Sequence, residues 1–356
     1  APGGSFVYAT GSVEGALTTF SRDSADGGLT YLGRLLDNGT QGFLTIDGLG
    51  GARGLVVSPD GLNIYVAGES EDKIAVFTRN LATGQPTFIE AVTEGDVQSS
   101  GTVDGLDGAQ DVALSPDGQH LYVVSPVDDS VTVLQRNASL SGTLSFREVE
   151  KDGAGGVDGI DGASGVRVSP DGKHVYVTGR DDNGIAVFRR ETDSGSLDFG
   201  KLTFLQSLLD GGLGGTFLAG ASGVEISPDG AFVYVAAATD DAVSVFGRNT
   251  TESSPDFGKL TFLSERHEGE ASGLGGAATG LDGAWQTLVS PDGQHLYVAS
   301  AVSDATVVFQ RNPATGSLKF IGVHRDEAIS ACVQPTTCIV HSLDGAGASR
   351  GCGRCK

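Results

Sequence analysis

The sequence has no methionine, and it has no cysteine before Cys332. A body without thiols can be held neither by disulfides nor by a thiolate metal site. The four cysteines, Cys332, Cys338, Cys352 and Cys355, are confined to the C-terminal end. Their grouping predicts two disulfides in an oxidising compartment. A four-thiolate zinc site and a redox-active Cys-x-x-Cys at Cys352–Cys355 stay open as alternatives. Basic residues are also scarce, with 23 Lys and Arg against 45 Asp and Glu, for a net charge of −22. Such a chain repels nucleic acid and anionic lipid, both of which are bound through Lys and Arg. No run of 18 apolar residues occurs, so neither a spanning helix nor membrane insertion is expected. The first residues, Ala1-Pro2-Gly3-Gly4, lack an initiator methionine and suit a processed N-terminus. The reading is a secreted or cell-surface protein, and three sequons, at Asn38, Asn137 and Asn249, matter if its host glycosylates exported chains.

Glycine, by contrast, is abundant, at 55 residues without a collagen-like period, which signals many tight turns. One phrase recurs. Ser58-Pro59-Asp60-Gly61 is followed by Ile64-Tyr65-Val66, and the phrase returns from Ser115, Ser169, Ser227 and Ser290. A period this long, made of short alternating runs, predicts a β-propeller rather than a helical solenoid. Each unit parses into four strands. Strand A is the aliphatic run before the Ser-Pro-Asp-Gly turn, and strand B the apolar-Tyr-Val run. Strand C ends in arginine, and strand D reads Leu-x-Phe, as in Leu144-Ser145-Phe146. Strand C arginines number six: Arg22, Arg79, Arg136, Arg190, Arg248 and Arg311. The standard turn appears only five times, so the first unit lacks its own strand A. The expected fold is therefore an all-β, six-bladed propeller of four-stranded antiparallel blades over residues 1–345, with a Cys-containing tail at 346–356. The stretch Cys338–Gly345, which mimics the strand A phrase, is expected to join the N-terminal blade and close the ring.

These repeats resemble the lactonase-like, or Tyr-Val-Thr-Asn-type, propeller family, whose superfamily includes 6-phosphogluconolactonase-like enzymes and many secreted bacterial proteins. The resemblance covers about residues 5–345 and implies a lactonase-type hydrolase acting at the channel mouth. Two departures stand beside it. The family's enzymes look seven-bladed, and they place His or Arg just before strand A; here those places hold Arg53, Gln110, Ser164, Ser222 and Trp285, with no His.

Candidate chemistry falls in few places. The loops before strand A repeat Asp-Gly, giving Asp104, Asp107, Asp158 and Asp161 as candidate ligands for Ca²⁺, a hard cation that takes six to eight oxygens. Asp-Gly is equally an ordinary turn signature. Acidic pairs in the B–C loops, such as Glu71-Asp72 and Asp128-Asp129, fall on the same face. Alternation along strand A points Arg167 and Glu225 of neighbouring blades into the channel at one level, as a ligand-binding pair or a structural ion pair. His267 and His324, placed in loops before strand A, are candidate general bases without an evident partner, while His120, His174 and His295 share one repeat position. No glycine-rich phosphate loop opens a helix, since stretches such as Gly211–Gly215 join strand to strand. With no convergent catalytic set, the residues read as a non-enzymatic extracellular binding or structural module for an unidentified ligand or protein. A lactonase-type hydrolase is the first alternative, and a subunit of a larger extracellular assembly, with possible self-assembly, the second.

Overall fold

A computed structural model of the protein describes residues 2–212, 217–270 and 277–325. It contains six antiparallel sheets in chain order, each a propeller blade. Blade 1 has three strands, Phe6–Gly11, Ala16–Arg22 and Leu29–Leu36. The other five have four, A to D, running from Ala52–Val57 to Pro86–Thr93 in blade 2 and from Asp111–Leu114 to Thr143–Lys151 in blade 3. Blade 4 runs from Ala163–Val168 to Leu202–Leu209, blade 5 from Ala221–Ile226 to Leu260–His267, and blade 6 from Ala284–Val289 to Leu318–Arg325. The six-bladed expectation thus holds, and blade 1 begins at strand B. The segment expected to close the ring, His341 and the four cysteines with their predicted disulfides lie outside the described residues. Two features went unforeseen: short two-stranded ribbons in the loops after blades 1 and 2, and one 3₁₀ turn at Ala138–Leu140.

The Ser-Pro-Asp-Gly phrase folds for local reasons. Proline presets φ for the second turn position, and Gly61 N–H closes the turn on Ser58 O at 2.8 Å with φ +74°. The Ser58 hydroxyl donates to the Asp60 carboxylate, which also accepts from Leu62 N–H. Strands A and B then pair from Val57–Ile64 to Ala52–Gly68.

The hydrophobic core is not central but interleaved. Five buried clusters fill the five junctions between successive described blades. Phe77, Phe188, Phe246 and Phe309 are wholly buried in them, each contributing roughly 1.5–3 kcal/mol over exposure. A polar clamp accompanies each cluster. The arginine ending strand C donates Nε–H to the tyrosine of the preceding blade, in Arg79–Tyr8 (2.6 Å), Arg136–Tyr65 (2.9 Å), Arg190–Tyr122 (2.8 Å), Arg248–Tyr176 (2.7 Å) and Arg311–Tyr234 (2.7 Å). Each tyrosine hydroxyl donates onward to a glycine carbonyl of the arginine's blade, as Tyr122 does to Gly200 O at 2.8 Å. Arg190 also donates to Asp117 Oδ2 (2.7 Å) and to His120 Nδ1 (3.0 Å). At the outward side of blade 6 the counterparts are unclamped among the described residues. Tyr297 is 36% exposed, where Tyr65, Tyr122, Tyr176 and Tyr234 are 0%.

The buried histidines make this lattice acid-sensitive. Burial, reinforced by the adjacent arginine, pushes the pKa of His120 and His174 down to about 4. Unfolded, each takes a proton near pH 6.5, so stability falls as pH drops from 6.5 towards 4, by roughly 3 kcal/mol at most per histidine. Blade 2 holds Asn63 at this position, where Oδ1 accepts from Arg136 at 2.7 Å. The double variant His120→Asn/His174→Asn should therefore flatten urea-derived stability between pH 6.5 and 4. An unchanged slope would assign the acid loss to the carboxylates.

Candidate functional site

Strand A begins at the channel mouth, and residues at its start converge there from several blades. Arg53 and Gly54 come from blade 2, Gln110 and Asp111 from blade 3, Ser164 from blade 4, and Trp285 and Gln286 from blade 6. Thr10 and Ser12, at the end of the first strand of blade 1, complete a cavity of about 260 Å³. That is smaller than the ~300–1,000 Å³ of drug-sized ligand sites and suits one small ring.

Backbone packing explains which blades lend side chains. The position after the mouth residue is Gly54, Gly165 and Gly223 in blades 2, 4 and 5. A Cβ on Gly165 would sit 2.4 Å from Ser222 O, and one on Gly223 2.6 Å from Trp285 O. Blades 3 and 6 place Asp111 and Gln286 at this position instead. Sequence reading named the mouth residues Arg53, Gln110 and Trp285 but missed Asp111. The signal was present: Asp111, like Gln286, breaks a repeat that is glycine in blades 2, 4 and 5.

Asp111 is 7% exposed. Its Oδ1 accepts from Val112 N–H (2.9 Å), and its Oδ2 from Val166 N–H (3.3 Å) and Arg167 Nη1 (2.9 Å). Arg167 reaches on to Glu225 Oε2 at 3.4 Å. The channel pair named from the sequence is thus brought together, with Asp111 as an unforeseen third member. Burial raises the Glu225 pKa against the opposing pull of Arg167, and the two carboxylates hold the Arg167 guanidinium charged. Arg53 is engaged at the rim, its Nε 2.5 Å from Glu69 Oε2.

Three other lining side chains have no partner among the described residues. Gln110 is 7% exposed, yet its side-chain amide forms no hydrogen bond among the described residues; neither do the Gln286 amide and the Trp285 indole N–H. The Gln110 amide atoms open onto the cavity, where water or a ligand meets them.

The remaining candidates lie elsewhere. His267 and His324 are on the ends of strand D, not in loops, and neither lines the mouth. The His267 ring stacks on Phe217 at 5.7 Å, with Nδ1 3.1 Å from Glu268 O; His324 lies exposed on its strand end. The four aspartates divide. Asp104 groups with Glu94 and Asp128, and Asp158 with Asp152 and Asp182. Asp107 stands near Asp72, and Asp161 near Asp129; like charges and burial raise both their pKa values. The Lys151 ammonium offsets one charge of the first group, at 2.9 Å from Asp104 and 3.1 Å from Asp128. Many of these acids organise backbone. Asp128 accepts from Asp107 N–H, and Asp182 from Asp161 N–H, each at 3.0 Å. The next residue in the turn has positive φ and reaches the following blade: Asp72, Asp129, Asn183 and Asp241 accept from Gly108, Gly162, Gly220 and Gly283 N–H at 2.7–2.9 Å.

Comparison with known proteins bears on this geometry. The model of the family described as "Lactonase, 7-bladed beta-propeller" matches residues 1–100, 93–207 and 201–334. A 6-phosphogluconolactonase of Klebsiella pneumoniae (strain 342) is 26% identical over 155 residues, 43% of this chain. The chain spans 43% of that relative's length. Among solved structures, the periplasmic gluconolactonase PpgL of Pseudomonas aeruginosa superposes with a TM-score of 0.66 at 21% identity, over 91% of this chain and 83% of that one. A putative 6-phosphogluconolactonase of Bacteroides fragilis gives 0.65 at 21%, over 90% and 81%. At such identities these likenesses show the fold. The non-enzymatic binding module expected from the residues is overturned by the family match. That expectation rested on the absence of a convergent catalytic set, whereas the mouth gathers a carboxylate and unpaired amides.

Proposed function

Because the chain belongs to the lactonase, seven-bladed β-propeller family, with six blades among the described residues, we propose that it hydrolyses a small lactone at the channel mouth. The observation that carries this reading is the Asp111 carboxylate, fixed at the wall of a ring-sized cavity beside unpaired amides. In the proposed reaction Asp111 takes a proton from water as its oxygen attacks the lactone carbonyl. The amide N–H groups of Gln110 and Gln286 meet the oxyanion. The ring C–O bond then breaks, the leaving oxygen takes a proton, and the product is one hydroxy acid per lactone and water. Trp285 supplies an apolar face for the ring. The likeness to a periplasmic gluconolactonase supports action outside the cytoplasm.

The test is proton release from a δ-lactone in weak buffer, read with a pH indicator against the uncatalysed rate. Saturable acceleration is expected. A rate equal to buffer alone, across several lactone ring sizes, would overturn the reading.

A further inference from the structure

We infer that the mouth selects an uncharged, hydroxyl-bearing sugar lactone and discriminates against its phosphorylated counterpart. This rests on the proposed lactone site and specifies its substrate class. A phosphate ester carries nearly two negative charges at neutral pH, and proteins bind such groups through Arg or Lys forks, metal ions or helix N-termini. The mouth offers no cation without a carboxylate partner among the described residues. Its lining holds one cation, Arg53, and one anion, Asp111. The Arg53 guanidinium is engaged with Glu69, and the nearest cation below, Arg167, lies between Asp111 and Glu225. No helix of eight or more residues exists among the described elements to point an N-terminus at the cavity.

The surroundings add repulsion. The loops that rim this face carry the groups Asp37, Asp47 and Glu71; Glu94, Asp104 and Asp128; and Asp152, Asp158 and Asp182, on a chain of net charge −22. A dianion approaching through them meets like charge over a Debye length of about 8 Å at physiological salt.

The groups left free suit a neutral polyol. Gln110 and Gln286 each offer two donors and an acceptor site, matching hydroxyls that both donate and accept. Gln110 is the strongest sign, since its unpaired amide opens onto the cavity while the rest of the side chain is buried. The Trp285 indole presents a flat apolar surface to the C–H face of a pyranose-like ring and an N–H at its edge.

The sequence supplies its own probe, because Trp285 is the only tryptophan. The full-length protein is titrated with gluconate and with 6-phosphogluconate, the stable products of the two lactones, which share one carboxylate and differ by the phosphate, and tryptophan fluorescence is read. Initial rates on glucono-δ-lactone and 6-phosphogluconolactone are measured in parallel. Gluconate should change the emission, with a Kd at least tenfold below that of 6-phosphogluconate, and the gap should narrow as salt rises from 0.05 to 0.5 M, roughly as screening predicts. Gln286→Lys should shift the preference towards the phosphorylated ligand by about tenfold, the order expected for one added charge pair in a half-buried site. Equal or tighter binding of 6-phosphogluconate by the unmodified protein overturns the inference. So does silence of Trp285 towards both ligands. Preferential gluconate binding without hydrolysis of either lactone sinks the catalytic reading and leaves the ligand class standing.

Discussion

Replacing Arg190 by alanine should lower the free energy of unfolding by about 3–5 kcal/mol, the cost of breaking a buried ion pair from one side. The side chain is 2% exposed and is shared by Tyr122, Asp117, His120 and Gly172 O. Its loss strands the Tyr122 hydroxyl's acceptor side and the His120 Nδ1 lone pair inside a junction that water does not reach. It also removes the face of the guanidinium over Phe199, 5.5 Å from the ring centroid. Arg22 is the matched control. It ends strand C of blade 1 as Arg190 ends that of blade 4, but no tyrosine clamp forms on it among the described residues. Arg22→Ala should stay within about 0.5 kcal/mol, as for an ordinary surface change. Urea melts of the two variants decide the matter. Similar losses in both would show that the clamp arginines act through helping strand C form, not through joining blades.

Asp111→Asn should reduce kcat for lactone hydrolysis by about 10²- to 10⁴-fold, the range for removing a positioned general base. The change keeps size and leaves an oxygen for Val112 N–H. Arg167 retains Glu225, so folding survives with a modest fall in Tm. A structural role alone would lower Tm and activity together, with the pH profile unaltered. A catalytic role removes the limb of the kcat/KM profile that reports the base, while KM stays within a few-fold. Activity within threefold of the parent protein would exclude Asp111 as the base and turn attention to Glu225.

The fold was legible because its signals are local. Proline and glycine at fixed turn positions, and alternation across strands B and C, each act within ten residues and repeat. The clamp was not, although every Tyr and Arg in it was visible. Tyr122 and Arg190 stand 68 positions apart, and only the stacking of one sheet on the next brings them together. The mouth was half legible. Its column of residues before strand A was located, and its chemistry was sought in Arg167, Glu225, His267 and His324, of which the first two lie beside it. The informative residue was Asp111, one place further on, where a repeat departs from glycine. The acidic loops are ambiguous for a physical reason: a carboxylate that accepts from backbone N–H groups in a tight turn has the same sequence signature as one awaiting a cation. His267 and His324 fell at strand ends because strand D runs longer than its Leu-x-Phe core.

The clamp also has a direction. Blades 2 to 5 each offer a tyrosine and an acid from one side and an arginine and a glycine carbonyl from the other, so these units fit behind one another. A gene that gained or lost one repeat would encode a protein whose junctions remain chemically matched, with only the angle between units to adjust. That interchangeability gives a physical route by which a chain of six units sits in a family described by seven. It also makes the chain amenable to engineering: excising one internal repeat, cut between equivalent positions of two Ser-Pro-Asp-Gly turns, should leave every surviving junction with its proper partners.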